Sequence, residues 1–182
     1  MRCEETVTYL EMTDRAQLIP AQKPSLEIEV KQAEIPCPEL NRFFYTAIGG
    51  DWYWTDRLPW TYEQWMTYVT RPGHETWTAH LRGTPVGYFE LDGEPGGQIE
   101  LAYFGILPQF VGQGIGGHLL TVAIRRAWEK NPTRVWLHTS SFDHPHALKH
   151  YLARGFRVVK RETCPKELPD ALPGPWPGAN RA

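Results

Sequence analysis

Residues 108–120 read PQFVGQGIGGHLL, with four glycines at Gly112, Gly114, Gly116 and Gly117. A proline precedes the run and an apolar, helix-like stretch follows it. One or two glycines suffice for a tight strand-to-helix connection. Four of them ahead of a helix suggest that backbone N–H groups are being kept clear for an anion. Gly112, Gly114 and Gly117 also satisfy G-x-G-x-x-G. That fingerprint should open a strand–helix–strand unit and be followed by an acidic residue about 20 positions on. The next apolar run, RVWLHTSS from Arg134, holds no acid, and the loop comes late in the chain. A pyrophosphate cradle at a helix start fits better than a dinucleotide loop.

The surrounding pattern sets the fold class. TVTYLEM and SLEIEVKQA read as strands separated by PAQKP. PELNRFFYTAIGG reads as a helix stopped by a glycine pair. TYEQWMTYVTRPG reads as a second helix, with Thr61 and Gln64 as a capping box and Pro72-Gly73 as its end. ETWTAHLRG, VGYFELDG and QIELAYFGIL alternate like strands, and GTP and DGEPGGQ connect them as an antiparallel meander. A helix follows from about Gly114 to Glu129, then the strand RVWLHTSS, the helix HPHALKHYLARG and the strand FRVVKRETC. The order predicts one mixed α/β sheet, mostly antiparallel, flanked by helices. Residues 1–164 form a single domain in this reading, and 165–182 a proline- and glycine-rich irregular tail.

Composition narrows the function. The chain has 182 residues, 41% of them hydrophobic and 22% charged, with a net charge of −2. That suits a globular protein and gives no support for nucleic-acid binding. No apolar run is long enough to span a membrane, and the N-terminal segment lacks a signal-peptide centre. Three widely spaced cysteines, Cys3, Cys37 and Cys164, read as free thiols in a reducing compartment, so a cytoplasmic location is expected.

The segment from about 84 to 158 resembles the GNAT superfamily of N-acetyltransferases. Two features carry the resemblance. One is the strand, Pro108 and the glycine run leading into a helix. The other is the A-x-x-x-Y-x-x-x-G-F element at Ala147, Tyr151, Gly155 and Phe156. The upstream GGDWYWTDRLPW is similar to a proteobacterial subgroup of unassigned substrate. Counted from Pro108, the family's Arg or Gln falls on Val111. The resemblance therefore implies a pyrophosphate held mainly by backbone N–H groups across Val111, Gly112, Gln113, Gly114, Ile115, Gly116 and Gly117. It implies acetyl-CoA as cosubstrate, no metal, and a fold whose strands splay to admit pantetheine.

It further implies direct acyl transfer to an amine, small or peptide. Tyr151 occupies the family's tyrosine position and is the candidate acid for the departing thiolate. Backbone N–H groups around Phe104, Gly105 and Ile106 are candidates for the oxyanion, and Gly105 marks a possible bulge. Strand alternation puts Glu100, Ala102 and Phe104 on one face and Ile99, Leu101 and Tyr103 on the other. Glu100 is the first candidate base. Glu90 is the second, and a hairpin folded about Pro95 would set the two carboxylates nearly opposite each other. His144 is a candidate coenzyme contact, and Asp143 a candidate helix cap. His146 and His150 have metal-binding spacing, but no third ligand is evident at fixed spacing.

Ten aromatic residues lie between Phe43 and Tyr68. Trp52, Trp54 and Trp60 among them are candidates for an acceptor wall, and nearby acids suggest a cationic or aromatic amine. A silent acyl-CoA-binding module and an interaction protein docking through LPGPWPG are the competing readings. Exposed sheet edges make a homodimer an expectation.

Overall fold

The structure is a computed structural model that describes residues 2–176. In chain order the elements are β1 (Arg2–Met12), β2 (Ile28–Gln32), α1 (Pro38–Gly49), α2 (Tyr62–Val69), β3 (His74–Leu81), β4 (Thr84–Glu94) and β5 (Gln98–Ile106). They continue with α3 (Ile115–Trp128), β6 (Arg134–Ser140), α4 (Ala147–Leu152) and β7 (Arg157–Glu167). The seven strands make one sheet in the order β2-β3-β4-β5-β6-β1-β7. All neighbours are antiparallel except β5 and β6.

The meander β3-β4-β5 forms as the turn chemistry implies. Helix α2 starts at the expected capping box: the Gln64 N–H donates to Thr61 Oγ1 at 3.3 Å, and the Thr61 N–H to Gln64 Oε1 at 2.8 Å. Helix α3 buries Ile115, Leu119, Leu120, Ala123, Ile124, Ala127 and Trp128 along one stripe, the spacing of a helix with one face on a sheet. Each large side chain buried there stabilises the fold by about 1.5–3 kcal/mol. Asn131 follows in the left-handed region at φ 52°, a helix-ending conformation that asparagine tolerates.

Two layers flank the sheet. Against α3 pack Leu10, Met12, Phe89, Leu91, Ile99, Leu101, Val135 and Leu137, with Leu148 and Tyr151 of α4 joining the same cluster. Helices α1 and α2 cover the other face of β3–β5 through Phe44, Ile48, Tyr45, Trp65 and Tyr68.

Four features complete or change the sequence reading. The first is the place of the first strand, which the pattern left open. It sits between β6 and β7, pairing Val7–Met12 with Ser140–Val135 and Arg2–Glu11 with Glu167–Arg157. Alternation reports a strand's faces but not its neighbours. Next, the last strand does not stop at Cys164. Pro165, Lys166 and Glu167 continue it opposite Glu4, Cys3 and Arg2, because proline is tolerated in an edge strand. Gly174 donates from its N–H to the Gly50 carbonyl at 3.1 Å, so part of the tail packs back on the domain. Pro177 and Gly178 of LPGPWPG lie outside the described residues.

The third change concerns register. Glu100 pairs with Asp92 and Glu90 with Tyr103, so the two candidate bases are not opposite each other. The fourth is the bulge, which lies at Ala102 and not at Gly105: Leu91 faces Leu101 while Glu90 faces Tyr103. An extra residue reverses the alternation beyond it. Phe104 therefore packs with Ile99 and Leu101 toward α3, and Tyr103 packs toward α1 and α2. Gly105 serves a different need, since a Cβ there would stand 2.5 Å from Ile48 Cγ2.

Candidate active site

Strands β5 and β6 are paired only from Gln98–Glu100 to Arg134–Trp136. Beyond Glu100 they separate, and the side of β5 that faced β6 has no strand partner. The gap between them has two compartments. One is a groove of about 520 Å³ reaching the start of α3, with Ile106, Val111, Gly112, Gly116, His144 and His150 on its wall. The other is a cavity of about 270 Å³ on the α1–α2 side, with Tyr9, Tyr45, Tyr103, His138 and Lys166 on its wall. Trp52, Trp54, Phe104, Asp143 and Tyr151 line both, so the compartments meet at these side chains.

The glycine run supplies the groove's polar end. Gly114 is the N-cap of α3 at φ 77°, and no side chain caps the helix there. A left-handed residue at this point favours glycine. The uncapped first turn leaves N–H groups for an anion, worth about 0.3–1 kcal/mol through the dipole alone and up to about 2 when partly buried. A β-carbon at Gly116 would only reach ordinary contact, 3.6 Å from His150 and from Ile106. These features fit a pyrophosphate, and the largely apolar wall beyond them fits a pantetheine arm. Val111, Gly112, Gly116, His144, Phe104, Gly105 and Ile106 all line the groove. Ile115 does not offer its side chain, which is fully buried in the core. Gln113 folds back to the Gln109 carbonyl at 3.2 Å, and a Cβ on Gly117 would meet Ala21 at 3.0 Å. For Gln113, Gly114, Ile115 and Gly117, only the backbone remains to contribute.

Val111 brings no charge to the loop, but Arg154 stands close by. Its Nη1 lies 3.5 Å from where a Gly117 Cβ would be, and its buried Nε has no hydrogen-bond partner. Sequence reasoning missed it. Its position three residues after Tyr151 was the available signal.

Tyr151 sits at the junction of the two compartments. Its ring packs edge-on to Phe104 and Phe156 at 6.4 Å. Burial, then the charge of Asp143, push its phenol above the ordinary value, so the hydroxyl carries its proton at neutral pH. Asp143 does not cap α4, whose N-cap is His146. Its carboxylate accepts from Thr139 Oγ1 (2.6 Å), the Ser140 N–H (2.8 Å) and Trp54 Nε1 (3.1 Å). Asp143 thus pins Trp54 across the gap, while the Trp52 ring meets His144 at 5.0 Å.

Glu90 and Trp60 line neither compartment. Glu90 is buried and accepts from Asn41 Nδ2 (2.8 Å) and Tyr68 Oη (2.6 Å). Burial pushes its carboxyl up, and Tyr68, Arg57 and Asn41 pull it back. The Arg57 guanidinium stands 3.9 Å from Glu90 among the rings of Tyr68, Tyr103 and Trp60, at 3.7, 4.4 and 4.7 Å. Trp60 is therefore a wall of this cation's enclosure and not of the acceptor cavity. The Arg57 N–H also donates to Tyr45 Oη at 3.1 Å. The network ties the loop that carries Trp52 and Trp54 to the helices.

Glu100 lines neither compartment directly. His138 Nδ1 donates to its Oε1 at 3.1 Å, and His138 does reach the smaller cavity. Among the described residues, no group of three or more His, Cys, Asp or Glu is placed to hold a metal ion. No described helix is long and apolar enough to cross a membrane.

Residues 34–156 match the family model described as the acetyltransferase (GNAT) family. Similar folds include a GCN5-related N-acetyltransferase from Sphaerobacter thermophilus, with TM-score 0.68 and 18% identity over 91% of this chain and 52% of that one. Another, from Kribbella flavida, has TM-score 0.62 and 20% identity over 88% and 56%. The ribosomal-protein-S18-alanine N-acetyltransferase from Escherichia coli has TM-score 0.58 and 14% identity over 74% and 80%. At these identities the likeness concerns the fold. The chain spans little more than half the length of the first two structures. No curated protein matches it in sequence.

Proposed function

From the premise that the chain belongs to the GNAT family of acetyltransferases, we propose that it transfers acetyl directly from acetyl-CoA to a primary amine, and that this amine is small and cationic or aromatic. The observation that carries the reading is the meeting of two unlike compartments at Tyr151, Trp54 and Phe104. One is apolar and ends at an uncapped helix start. The other is rich in aromatic rings, with Lys166 and the carboxylates of Glu5, Asp56 and Asp143 on its wall. Aromatic faces and carboxylates both attract an ammonium group. Glu5, Val7, Tyr9, Lys166 and Leu168 of that wall lie outside the span matched by the family model.

In this reading the groove holds the thioester, which supplies an activated acyl carbon. Trp52 and Trp54 enclose the amine and keep water from the acyl carbon. Backbone N–H groups on the freed edge of β5 after Glu100 face the developing oxyanion. Fixed donors of that kind contribute about 2.7–4 kcal/mol. Tyr151 protonates the departing thiolate. Holding both reactants in one gap supplies up to about 7–11 kcal/mol of the barrier reduction.

The test is release of free CoA from acetyl-CoA with a panel of acceptors. Arylalkylamines and polyamines are expected to support turnover, and amino-dicarboxylates are not. Equal or faster turnover with the anionic acceptors contradicts the reading of the cavity.

A further inference from the structure

We infer that His138 takes the proton from the acceptor amine and that Glu100 acts through it as a positioning residue; this rests on the acetyl-transfer reading above. Glu100 is the last β5 residue still paired with β6, opposite Trp136. His138 lies two residues past Trp136, on the same face of β6, where the strands have begun to part. The pair therefore sits at the point of the splay. The carboxylate is the inner member, with 15% of its side chain exposed, and the imidazole is the outer one, at 47%. Only the imidazole lines the acceptor cavity.

The hydrogen bond fixes the ring's chemistry. A carboxylate can only accept, so Nδ1 carries the hydrogen and neutral Nε2 carries a lone pair. The rings of Tyr9 and Trp136 flank the imidazole at 5.9 and 6.2 Å and limit its rotation. The other charged groups around the site already have partners. Glu5 of β1 accepts from Ser140 Oγ at 2.7 Å and stands 3.4 Å from Lys166 of β7. Asp143 accepts from Thr139, Ser140 and Trp54. Asp56 lies 3.7 Å from Lys166 at the cavity's outer side. The phenols of Tyr9, Tyr45, Tyr103 and Tyr151 also line the cavity, and each is held above its ordinary value. Among the described residues of the cavity wall, His138 is the group suited to accept a proton near neutrality. Glu100 raises its proton affinity, burial opposes this, and Asp143 and Glu5 add to the rise.

The ammonium gives one proton to Nε2, and its freed lone pair forms the C–N bond at the thioester carbon. The C–S bond breaks, and the thiolate takes the phenolic proton of Tyr151. The acylated nitrogen gives up its second proton, which restores the Tyr151 phenol, His138 releases its proton to solvent, and the net reaction releases one proton.

The experiment is the pH profile of kcat/KM with acetyl-CoA and three probe amines of different basicity: benzylamine, phenethylamine and tryptamine. Since the base must be neutral, the rate is expected to rise with pH through a value raised from the ordinary histidine one. That value should be the same for all three probes. His138→Gln should remove this limb and lower kcat/KM about 10²-fold. Glu100→Gln should keep the limb but move it to lower pH, with acetyl-CoA affinity unchanged. A limb that follows each amine's own basicity, or one that persists in His138→Gln, overturns the assignment. If the parent protein turns over none of the probes or other amines, the acetyl-transfer reading falls first and takes this inference with it. An NMR titration that finds the His138 imidazole unmoved by Glu100→Gln overturns the positioning role whatever the acceptor.

Discussion

Gly155→Ala is expected to destabilise the domain by about 2–6 kcal/mol, a large part of the 5–15 kcal/mol available to a typical fold. Two effects add. Gly155 sits at φ 98°, where a side chain costs about 1–3 kcal/mol. Its Cβ would also stand 1.8 Å from the backbone carbonyl oxygen of Gln17 and 2.8 Å from the carbon. Backbone cannot rotate aside as a side chain can, so the chain from Gln17 to Ile19 must shift. Forced shifts of this kind cost a further 1–3 kcal/mol or so. The segment is anchored there by the Ile19 N–H to the Arg154 carbonyl at 3.1 Å, and beyond it by the Ala21 N–H to Thr121 Oγ1 at 2.9 Å. Ala21 in turn abuts Gly117 at the start of α3. Losing the contact therefore loosens the glycine loop as well. Gly83→Ala is the control: its φ is 82° and nothing lies within 4 Å of its Cβ. Chemical denaturation should find it destabilised by strain alone, about 1–2 kcal/mol. Equal losses in the two variants would mean that the contact with Gln17 does not constrain the fold.

Tyr151→Phe is expected to lower kcat by about 10²-fold or more while leaving acetyl-CoA affinity and thermal stability nearly unchanged. The ring packs with Phe104, Phe156 and the α3 cluster, and phenylalanine keeps all of that. What is lost is a hydroxyl that makes no hydrogen bond to another described residue and stands where the two compartments meet. Its elevated pKa keeps it protonated across the working range, so it can only donate. Removal of a positioned acid costs 10²–10⁴-fold in typical cases. An unchanged kcat in single-turnover acetyl transfer would mean that the thiolate leaves unaided.

How far the sequence could be read depended on the range over which each feature is determined. The glycine loop and the Ala147–Tyr151–Gly155–Phe156 element were legible because their backbone demands are local. The helix α2 capping box was legible for the same reason. The acceptor side was not. It takes Glu5 and Tyr9 from the first strand, and the insertion of β1 between β6 and β7 is set by long-range pairing. The Glu100–His138 bond depends on a parallel register across a helical crossover. The bulge at Ala102 reverses alternation with no glycine or proline to mark it, so strict alternation places Phe104 and Tyr103 on the wrong faces. Among the tryptophans, Trp52 and Trp54 reach the gap, whereas Trp60 is held by Arg57. Arg57 is the lone basic residue between Asp51 and Glu63. An isolated cation among rings was the signal that some of those aromatics enclose it and do not face a substrate.

The most direct test of the account is a calorimetric titration of acetyl-CoA into the parent protein, with Gly116→Ala and Gly116→Glu beside it. A Cβ at Gly116 meets His150 and Ile106 only at ordinary contact, so both variants should fold. Saturable binding by the parent, near-parental binding by the alanine variant, and a loss of about 100-fold in the glutamate variant would place the pyrophosphate at the start of α3. That loss corresponds to roughly 2.7 kcal/mol, the scale of a carboxylate displacing an anion from charge-assisted hydrogen bonds. No heat from the parent, or equal affinity in all three proteins, would contradict the assignment of this groove to acetyl-CoA.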